Sequence, residues 1–419
     1  MTPLAYRDGI LELDGTPLAP LAARHGTPLY VYAAGEIRRR LARLEAAFAP
    51  RPPLFCYALK ANPTLAVVAT LARAGAGADV VSGGELTRAQ AAGVPPARIV
   101  FAGVGKSRGE IEQGLAAGIL QFNVESLEEL HLIDAVAAER GVTAPVALRL
   151  NPDVAATTHD KIATGRRHDK FGIGAERLGE VLEVVRGLDH VRTVGLHCHI
   201  GSQIAVVEEF ERAYRRMAEL YRHGIAHGLP LERLNLGGGF AIRYAGEREL
   251  DIAAFAAMAK AVTAELGCGL VFEPGRFLVA AAGALISRIL LVKTGSDGRR
   301  FVVLDAGMNT LLRPALYGAV HPIFPLHRGV DDREEVVDVV GPICESSDVF
   351  ARDVGLARAR AGAGIALANT GAYGAVMASE YNSRGMAGEV LVDGARTAVV
   401  KPPRPPAAAL ADETVPAWL

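Results

Sequence analysis

The stretch Tyr57-Ala58-Leu59-Lys60-Ala61-Asn62 decides how the rest of the chain is read. Leu54 to Leu59 is a short apolar run, the pattern of a buried strand. Asn62-Pro63 breaks it and leaves Lys60 at its carboxyl end. A lysine in that place either snorkels its ammonium to water or points into a site. In a site, a desolvated amine loses proton affinity and becomes nucleophilic. The chemistry that suits it is a Schiff base with a carbonyl, either a substrate's or that of pyridoxal phosphate.

Outward from this run the same alternation repeats. Strand-like runs follow at Ala78 to Val81, Ile99 to Ala102, Gln121 to Val124, Val146 to Leu150, Val194 to Ile200, Leu234 to Leu236 and Leu270 to Phe272. Amphipathic helices separate them: Ile37, Leu41, Leu44 and Phe48 share one stripe, as do Val207, Phe210, Tyr214, Met217 and Tyr221. Ser82 with Glu85, and Ser126 with Glu129, read as capping boxes. Eight strands alternating with helices over about 250 residues predict a parallel (β/α)8 TIM-like barrel; an open doubly wound sheet fits the count less well.

After Arg276 the rhythm changes. Leu285 to Thr294 and Arg300 to Asp305 flank Gly295-Ser296-Asp297-Gly298, a hairpin signal. Short strands continue at Glu335 to Val340, Ile365 to Asn369, Glu389 to Val392 and Thr397 to Lys401. The expected organisation is α/β: residues 1–30 join the β-domain, 31–278 form the barrel, 279–401 form a mostly antiparallel β-domain, and 402–419 are a Pro/Ala-rich tail running extended over the surface. Asn151 to Gly172, charged and aperiodic, follows the fifth strand and reads as a lid or a surface insertion.

Composition narrows the function. The chain has 419 residues, 50% hydrophobic, enough for a large core, and a formal net charge of −1 with no block of like charge. That argues against nucleic acid and anionic membrane as partners. The four cysteines form no Cys-x-x-Cys pair, and Met1 to Pro20 has no apolar core, so a reducing cytoplasm and no signal peptide are expected. Phe277 to Val292 is the most apolar stretch, and Arg288 interrupts it, which favours strand over membrane span.

In such a barrel the active-site groups stand at the carboxyl ends of the strands. Reading those ends gives Lys60, Asp79, Asn151, His197 with His199, Gly237-Gly238-Gly239, and Glu273-Pro274-Gly275-Arg276. A triple glycine lets successive N–H groups turn toward one anion, such as a phosphate, although alone it also reads as a turn. His197 and His199, two apart on a strand, face one side. No third residue of matching spacing completes a metal site; one imidazole stacked on a cofactor ring fits better, with His197 a satisfied core histidine. A carboxylate such as Glu273 beside a pyridine nitrogen keeps it protonated and makes the ring a strong electron sink, which favours decarboxylation over racemisation.

These stretches resemble the diaminopimelate decarboxylases, fold-type III pyridoxal phosphate enzymes of lysine biosynthesis. The resemblance covers nearly the whole chain. It adds His197-Cys198-His199-Ile200-Gly201-Ser202-Gln203, Gly237-Gly238-Gly239-Phe240 and Arg313-Pro314-Ala315-Leu316-Tyr317 to the motifs above. Gly341-Pro342-Ile343-Cys344-Glu345-Ser346-Ser347-Asp348, Gly371-Ala372-Tyr373-Gly374 and Tyr381-Asn382-Ser383-Arg384 complete it. The resemblance implies a barrel of the alanine racemase type, pyridoxal 5′-phosphate as cofactor, and a homodimer whose sites draw Cys344 and Glu345 from the partner subunit. It implies Lys60 as the Schiff-base lysine and His199 as the ring-stacking residue. Ser202, Gly238, Gly239, Glu273, Pro274, Gly275, Arg276 and Tyr373 would hold the cofactor. Arg276, Arg313, Tyr317, Glu345 and Tyr373 would hold the substrate, and Cys344 would return the proton.

The charges agree with that substrate. The non-reacting end of diaminopimelate carries a carboxylate and an ammonium, and Arg313 with Glu345 supplies the matching pair. The rivals are a sister decarboxylase acting on ornithine, lysine, carboxynorspermidine or a carrier-bound amino acid, a racemase, and a non-catalytic relative. The pair Arg313 and Glu345 speaks against the first, Glu273 against the second, and retention of Lys60 and Cys344 against the third. One departure stands out: Gly385-Met386-Ala387 replaces a proline-arginine-proline run typical of the family and bears on local geometry or substrate preference.

Overall fold

The computed structural model describes residues 3–154, 170–329 and 332–419. By contact the chain divides into two compact units. One comprises Arg38–Arg243 with Arg248–Leu278, and the other Met1–Ile37, Tyr244–Glu247 and Val279–Leu419.

The first unit is a closed parallel barrel. Its strands are Leu54–Ala58, Gly77–Val80, Ile99–Phe101, Gln121–Val124, Ala144–Asn151, Val191–His197, Arg233–Asn235 and Gly269–Phe272. Each pairs with the next, and the eighth returns to the first through Phe272 opposite Phe55, which closes the ring. All eight expected strands are present, within three residues of their expected ends. Nearly every strand residue is buried on both faces, which is why these segments read as apolar runs rather than alternations.

Packing around the eighth strand is aromatic. Phe255 lies with its ring centroid 4.8 to 6.1 Å from those of Phe48, Phe210, Tyr214, Phe240 and Phe272. The helical stripes read from sequence are the faces that supply these rings: Val207–Ala226 buries Phe210, Tyr214, Met217 and Tyr221.

The caps differ in one respect from expectation. Ser82 and Ser126 each accept the N–H of the glutamate three residues on. The carboxylates, however, reach one residue past the cap, to the N–H groups of Val81 and Glu125, at 2.8 and 3.0 Å. The complete reciprocal box is elsewhere, Ser107 with Glu110, opening Arg108–Ala117.

The second unit is a mixed, mostly antiparallel sheet. Gly283–Thr294 turns back into Arg300–Leu304 at the expected hairpin and also pairs with Gly364–Ala368. Leu29–Ala33 runs between Gly283–Thr294 and Gly388–Asp393, parallel to the latter. Alternate residues Leu29, Val31 and Ala33 join Ala284, Ile286, Val390 and Val392 in one apolar core beneath the helix Leu18–His25. The tail is not simply extended: Met386 and Arg404 exchange backbone hydrogen bonds, and Pro406–Asp412 coils into 3-10 turns. At the departure from the family run, a Cβ on Gly385 would fall 2.3 Å from the Arg404 carbonyl, so this close approach requires glycine. The expected lid, Asn151 to Gly172, lies largely outside the described residues.

Candidate active site

The first strand ends at Ala58, and a single 3-10 turn, Leu59–Ala61, carries Lys60 into the barrel mouth. The turn is fixed by Tyr57, whose hydroxyl donates to the Asn62 carbonyl at 2.9 Å. Gly275 lets the end of the eighth strand pack here; a Cβ would meet those of Ala58 and Ala61 at 3.1 and 3.2 Å.

Lys60 Nζ lies 3.3 Å from Asp79 Oδ2. Asp79 sits opposite Ala58 in strand register and is wholly buried. Its Oδ1 has no partner among the described residues. Burial, reinforced by nearby Glu273 and opposed by Lys60, pushes the Asp79 carboxyl up to about 8.

Glu273 follows the eighth strand and is buried under three donors. Asn123 Nδ2 and Asn235 Nδ2 reach Oε1 at 2.9 and 2.7 Å, and His197 Nε2 lies 3.2 Å from Oε2. Burial alone would raise this carboxyl; His197, Lys60 and Asn235 outweigh it and hold it well below the usual carboxylate range. Sequence reading assigned the asparagines no part. The signal available was a polar residue set between two apolar neighbours in each case, Asn123 between Phe122 and Val124 and Asn235 between Leu234 and Leu236.

His197 ends the sixth strand and serves Glu273, while His199 lies beyond the strand end. The two imidazoles thus do different work rather than sharing a face by strand alternation. His199 Nδ1 accepts the Gly238 N–H at 3.1 Å, which leaves the proton of a neutral ring on Nε2. Burial, then the positive charges of Lys60 and Arg149, hold its pKa well below that of free histidine.

The glycine run does not offer three amides to one anion. Gly237 N–H donates to Asn235 Oδ1 and Gly238 N–H to His199, which leaves Gly239. The glycines serve close approach: a Cβ on Gly238 would lie 2.2 Å from the Glu273 carbonyl, and one on Gly239, at φ +102°, 2.4 Å from the Gly201 carbonyl. Ser202 Oγ accepts from Arg276 Nη2 at 3.3 Å, so the loop after the sixth strand and the residue after Gly275 converge. Gln203 locks the same loop, its amide exchanging hydrogen bonds with the Ile242 N–H and carbonyl at 3.0 and 3.1 Å.

Behind the mouth lies an ionic cluster that the sequence did not reveal. Lys106 Nζ is buried and donates to Glu129 Oε1 at 2.6 Å, the Asn123 carbonyl at 2.7 Å and the Gly103 carbonyl at 3.0 Å. Arg149 pairs with Glu125 at 2.5 Å, and Glu125 also accepts the Gly172 N–H.

The other expected residues belong to the second unit. Arg313 is buried at the start of the short helix Arg313–Tyr317, its guanidinium 2.9 Å from His321 Nε2 and over the Tyr244 ring. His321 Nδ1 lies 2.8 Å from the Ala368 carbonyl. That contact places the ring proton on Nδ1 and makes Nε2 the acceptor for Arg313. Tyr317 is half-buried, and Tyr373 adopts a left-handed φ of 56°. Cys344 and Glu345 lie on an exposed loop. Asp348 anchors that loop by accepting the N–H groups of Ile343 and Met308, at 2.7 and 2.6 Å. Asn382 Oδ1 accepts the Cys344 N–H.

Pyridoxal phosphate fits the barrel residues. An ionised carboxylate accepts about four hydrogen bonds; Glu273 has three from protein, leaving one position on Oε2. An amine, a neutral imidazole, a glycine amide with no partner among the described residues and an arginine complete the needs of an aldehyde, a ring and a phosphate.

Comparison with known proteins agrees. The family model described as pyridoxal-dependent decarboxylase, pyridoxal binding domain, matches residues 34–280. The diaminopimelate decarboxylase of Zymomonas mobilis is 41% identical over the full length of both chains. That of Pseudomonas aeruginosa is 44% identical over 96% of each. The crystal structure of diaminopimelate decarboxylase from M. jannaschii in co-complex with L-lysine superposes with a TM-score of 0.94 at 37% identity, covering 100% of both chains. Sharing its whole length and its fold with these proteins, the chain belongs to the diaminopimelate decarboxylase family of pyridoxal-dependent decarboxylases.

Proposed function

We propose that this chain decarboxylates meso-2,6-diaminopimelate to L-lysine and carbon dioxide, with pyridoxal 5′-phosphate held on Lys60. The observation that carries the reading is the buried Glu273 carboxylate at the barrel mouth, ionised by its three donors and left with one acceptor position. When bound, the cofactor supplies an electron sink for the bond that breaks as carbon dioxide leaves. The remaining work belongs to the chain. Lys60 provides the amine that anchors the cofactor, and Asp79, 3.3 Å away, holds that amine in place. Glu273 would supply negative charge to the ring nitrogen, and His199, neutral, would offer an uncharged ring face. Ser202, Gly239 and Arg276, with Gly238, Pro274, Gly275 and Tyr373, shape the phosphate and ring pocket.

Arg313, Tyr317, Glu345, Tyr373 and Arg276 bind the substrate, the arginine and glutamate matching the carboxylate and ammonium of its distal end. The Cys344 thiol returns a proton to the α-carbon. The enzyme acts as a homodimer in the cytoplasm, each subunit lending Cys344 and Glu345 to its partner; the exposure of that loop in a single chain supports this.

The test is direct. Purified protein with pyridoxal phosphate and meso-diaminopimelate should release carbon dioxide and lysine, with far lower turnover on ornithine or lysine. Lys60→Ala should lose the visible absorbance of covalently held cofactor. Equal turnover on ornithine, or unchanged absorbance in the variant, would refute the reading.

A further inference from the structure

The three donors to Glu273 come from three separate barrel strands: Asn123 from the fourth, His197 from the sixth and Asn235 from the seventh. Their orientation is itself fixed. Gln121 Nε2 donates to Asn123 Oδ1 at 2.8 Å, and the Gly237 N–H donates to Asn235 Oδ1 at 3.1 Å. Each Oδ1 is therefore an acceptor, and each Nδ2 must be the group turned to Glu273. A layer of polar side chains is thus built across the barrel around one carboxylate.

We infer that Asn123, Asn235 and His197 are positioning residues that hold Glu273 as a carboxylate with a single open acceptor site, so that the proton shared with the cofactor ring stays on the ring nitrogen. The inference rests on the proposed seating of pyridoxal phosphate at Lys60. A proton between two bases sits on the stronger one. Hydrogen bonds to a carboxylate stabilise its charged form and weaken it as a base. Each bond to a charged group shifts that balance by about one to two pKa units. Asp79 provides the contrast within the same barrel mouth: equally buried, with Lys60 as its hydrogen-bond partner and one oxygen unsatisfied, its carboxyl is driven up rather than down. Burial alone would do the same to Glu273 and turn it into a neutral acid, which would leave the ring nitrogen unprotonated and the electron sink weak.

The experiment is solid-state ¹⁵N NMR of the holoenzyme reconstituted with ring-¹⁵N pyridoxal phosphate, read beside steady-state kinetics. The wild-type ring nitrogen should resonate as pyridinium. In His197→Leu it should move toward the neutral-pyridine position, with kcat down at least about tenfold and KM changed less. His197→Gln, which keeps an N–H donor, should restore the resonance. Asn123→Leu removes a donor from the other oxygen and gives a second reading independent of how His197→Leu folds. Variants whose ring nitrogen stays at the wild-type position overturn the inference and leave the proposed function standing. A wild-type chain that takes up the cofactor with a neutral ring nitrogen overturns the inference as well; one that takes up no cofactor overturns both.

Discussion

Replacing Lys106 by methionine should destabilise the barrel strongly, and more so at alkaline than at acid pH. The side chain is 1% exposed and its ammonium bonds Glu129 and two carbonyls, those of Gly103 and Asn123. Methionine fills similar volume, so the loss is electrostatic. It leaves Glu129, 9% exposed, with the Glu125 N–H as its remaining donor. Stranding one member of a buried pair costs about 3–5 kcal/mol, a large share of the 5–15 kcal/mol typical of a folded domain. Burial already raises the Glu129 carboxyl, and Lys106, ahead of the Glu125 N–H, opposes the rise. Without Lys106 the folded-state pKa climbs further, while the unfolded value stays near 4.3. The folded state then binds the extra proton, so stability falls as pH rises from about 4 through the folded pKa. Urea unfolding of Lys106→Met and wild type at pH 5 and pH 8 would measure both effects. The double variant with Glu129→Leu should recover part of the loss. A loss under about 1 kcal/mol, or a penalty larger at pH 5 than at pH 8, would refute the argument.

Asp79→Asn should flatten the pH dependence of apoprotein stability. The folded carboxyl, raised to about 8, binds a proton that the unfolded chain releases near 3.9, so wild-type stability falls across that window and the variant's should not; parallel urea midpoints from pH 5 to 8 would contradict this. Arg313→Leu, by removing a buried guanidinium, should raise KM for diaminopimelate about thirtyfold, the equivalent of about 2 kcal/mol, with a smaller change in kcat; an unchanged KM in steady-state assays would remove Arg313 from the substrate site. Phe255→Ala, at the centre of the aromatic cluster, should cost about 3–5 kcal/mol in chemical unfolding, and a loss below about 1 kcal/mol would mean the cavity had collapsed.

What could be read in advance follows from where information sits in the chain. The barrel strands announced themselves because burial on both faces makes them mostly apolar, and Lys60, the glycines and Glu273 because they punctuate strand ends. Leu29–Ala33 is as apolar as any barrel strand yet passed unread, since nothing local tells which sheet a strand joins. Val349–Ala357 hid for the opposite reason: a half-exposed strand carrying Arg352 and Asp353 lacks clean alternation, and its pairing with Glu334–Val340 is broken by register shifts. Glu129 shows the limit most sharply. Its spacing from Ser126 reads as a cap, but one oxygen serves Lys106, a partner 23 residues away that no local pattern connects to it. Asn123 and Asn235 are likewise meaningful through Glu273, and the middle carboxylate is distant from both in sequence.

The position of Leu29–Ala33 between Gly283–Thr294 and Gly388–Asp393 has a consequence for synthesis on the ribosome. This strand emerges early, yet its first sheet neighbour lies roughly 250 residues downstream, a delay of about 12–50 s at translation rates of about 5–20 residues per second. The barrel residues leave the exit tunnel during that interval and can close before the strand finds either neighbour. An apolar segment of five residues is therefore left waiting in the nascent chain, and a stalled or truncated product would expose it to chaperones and to other copies of itself.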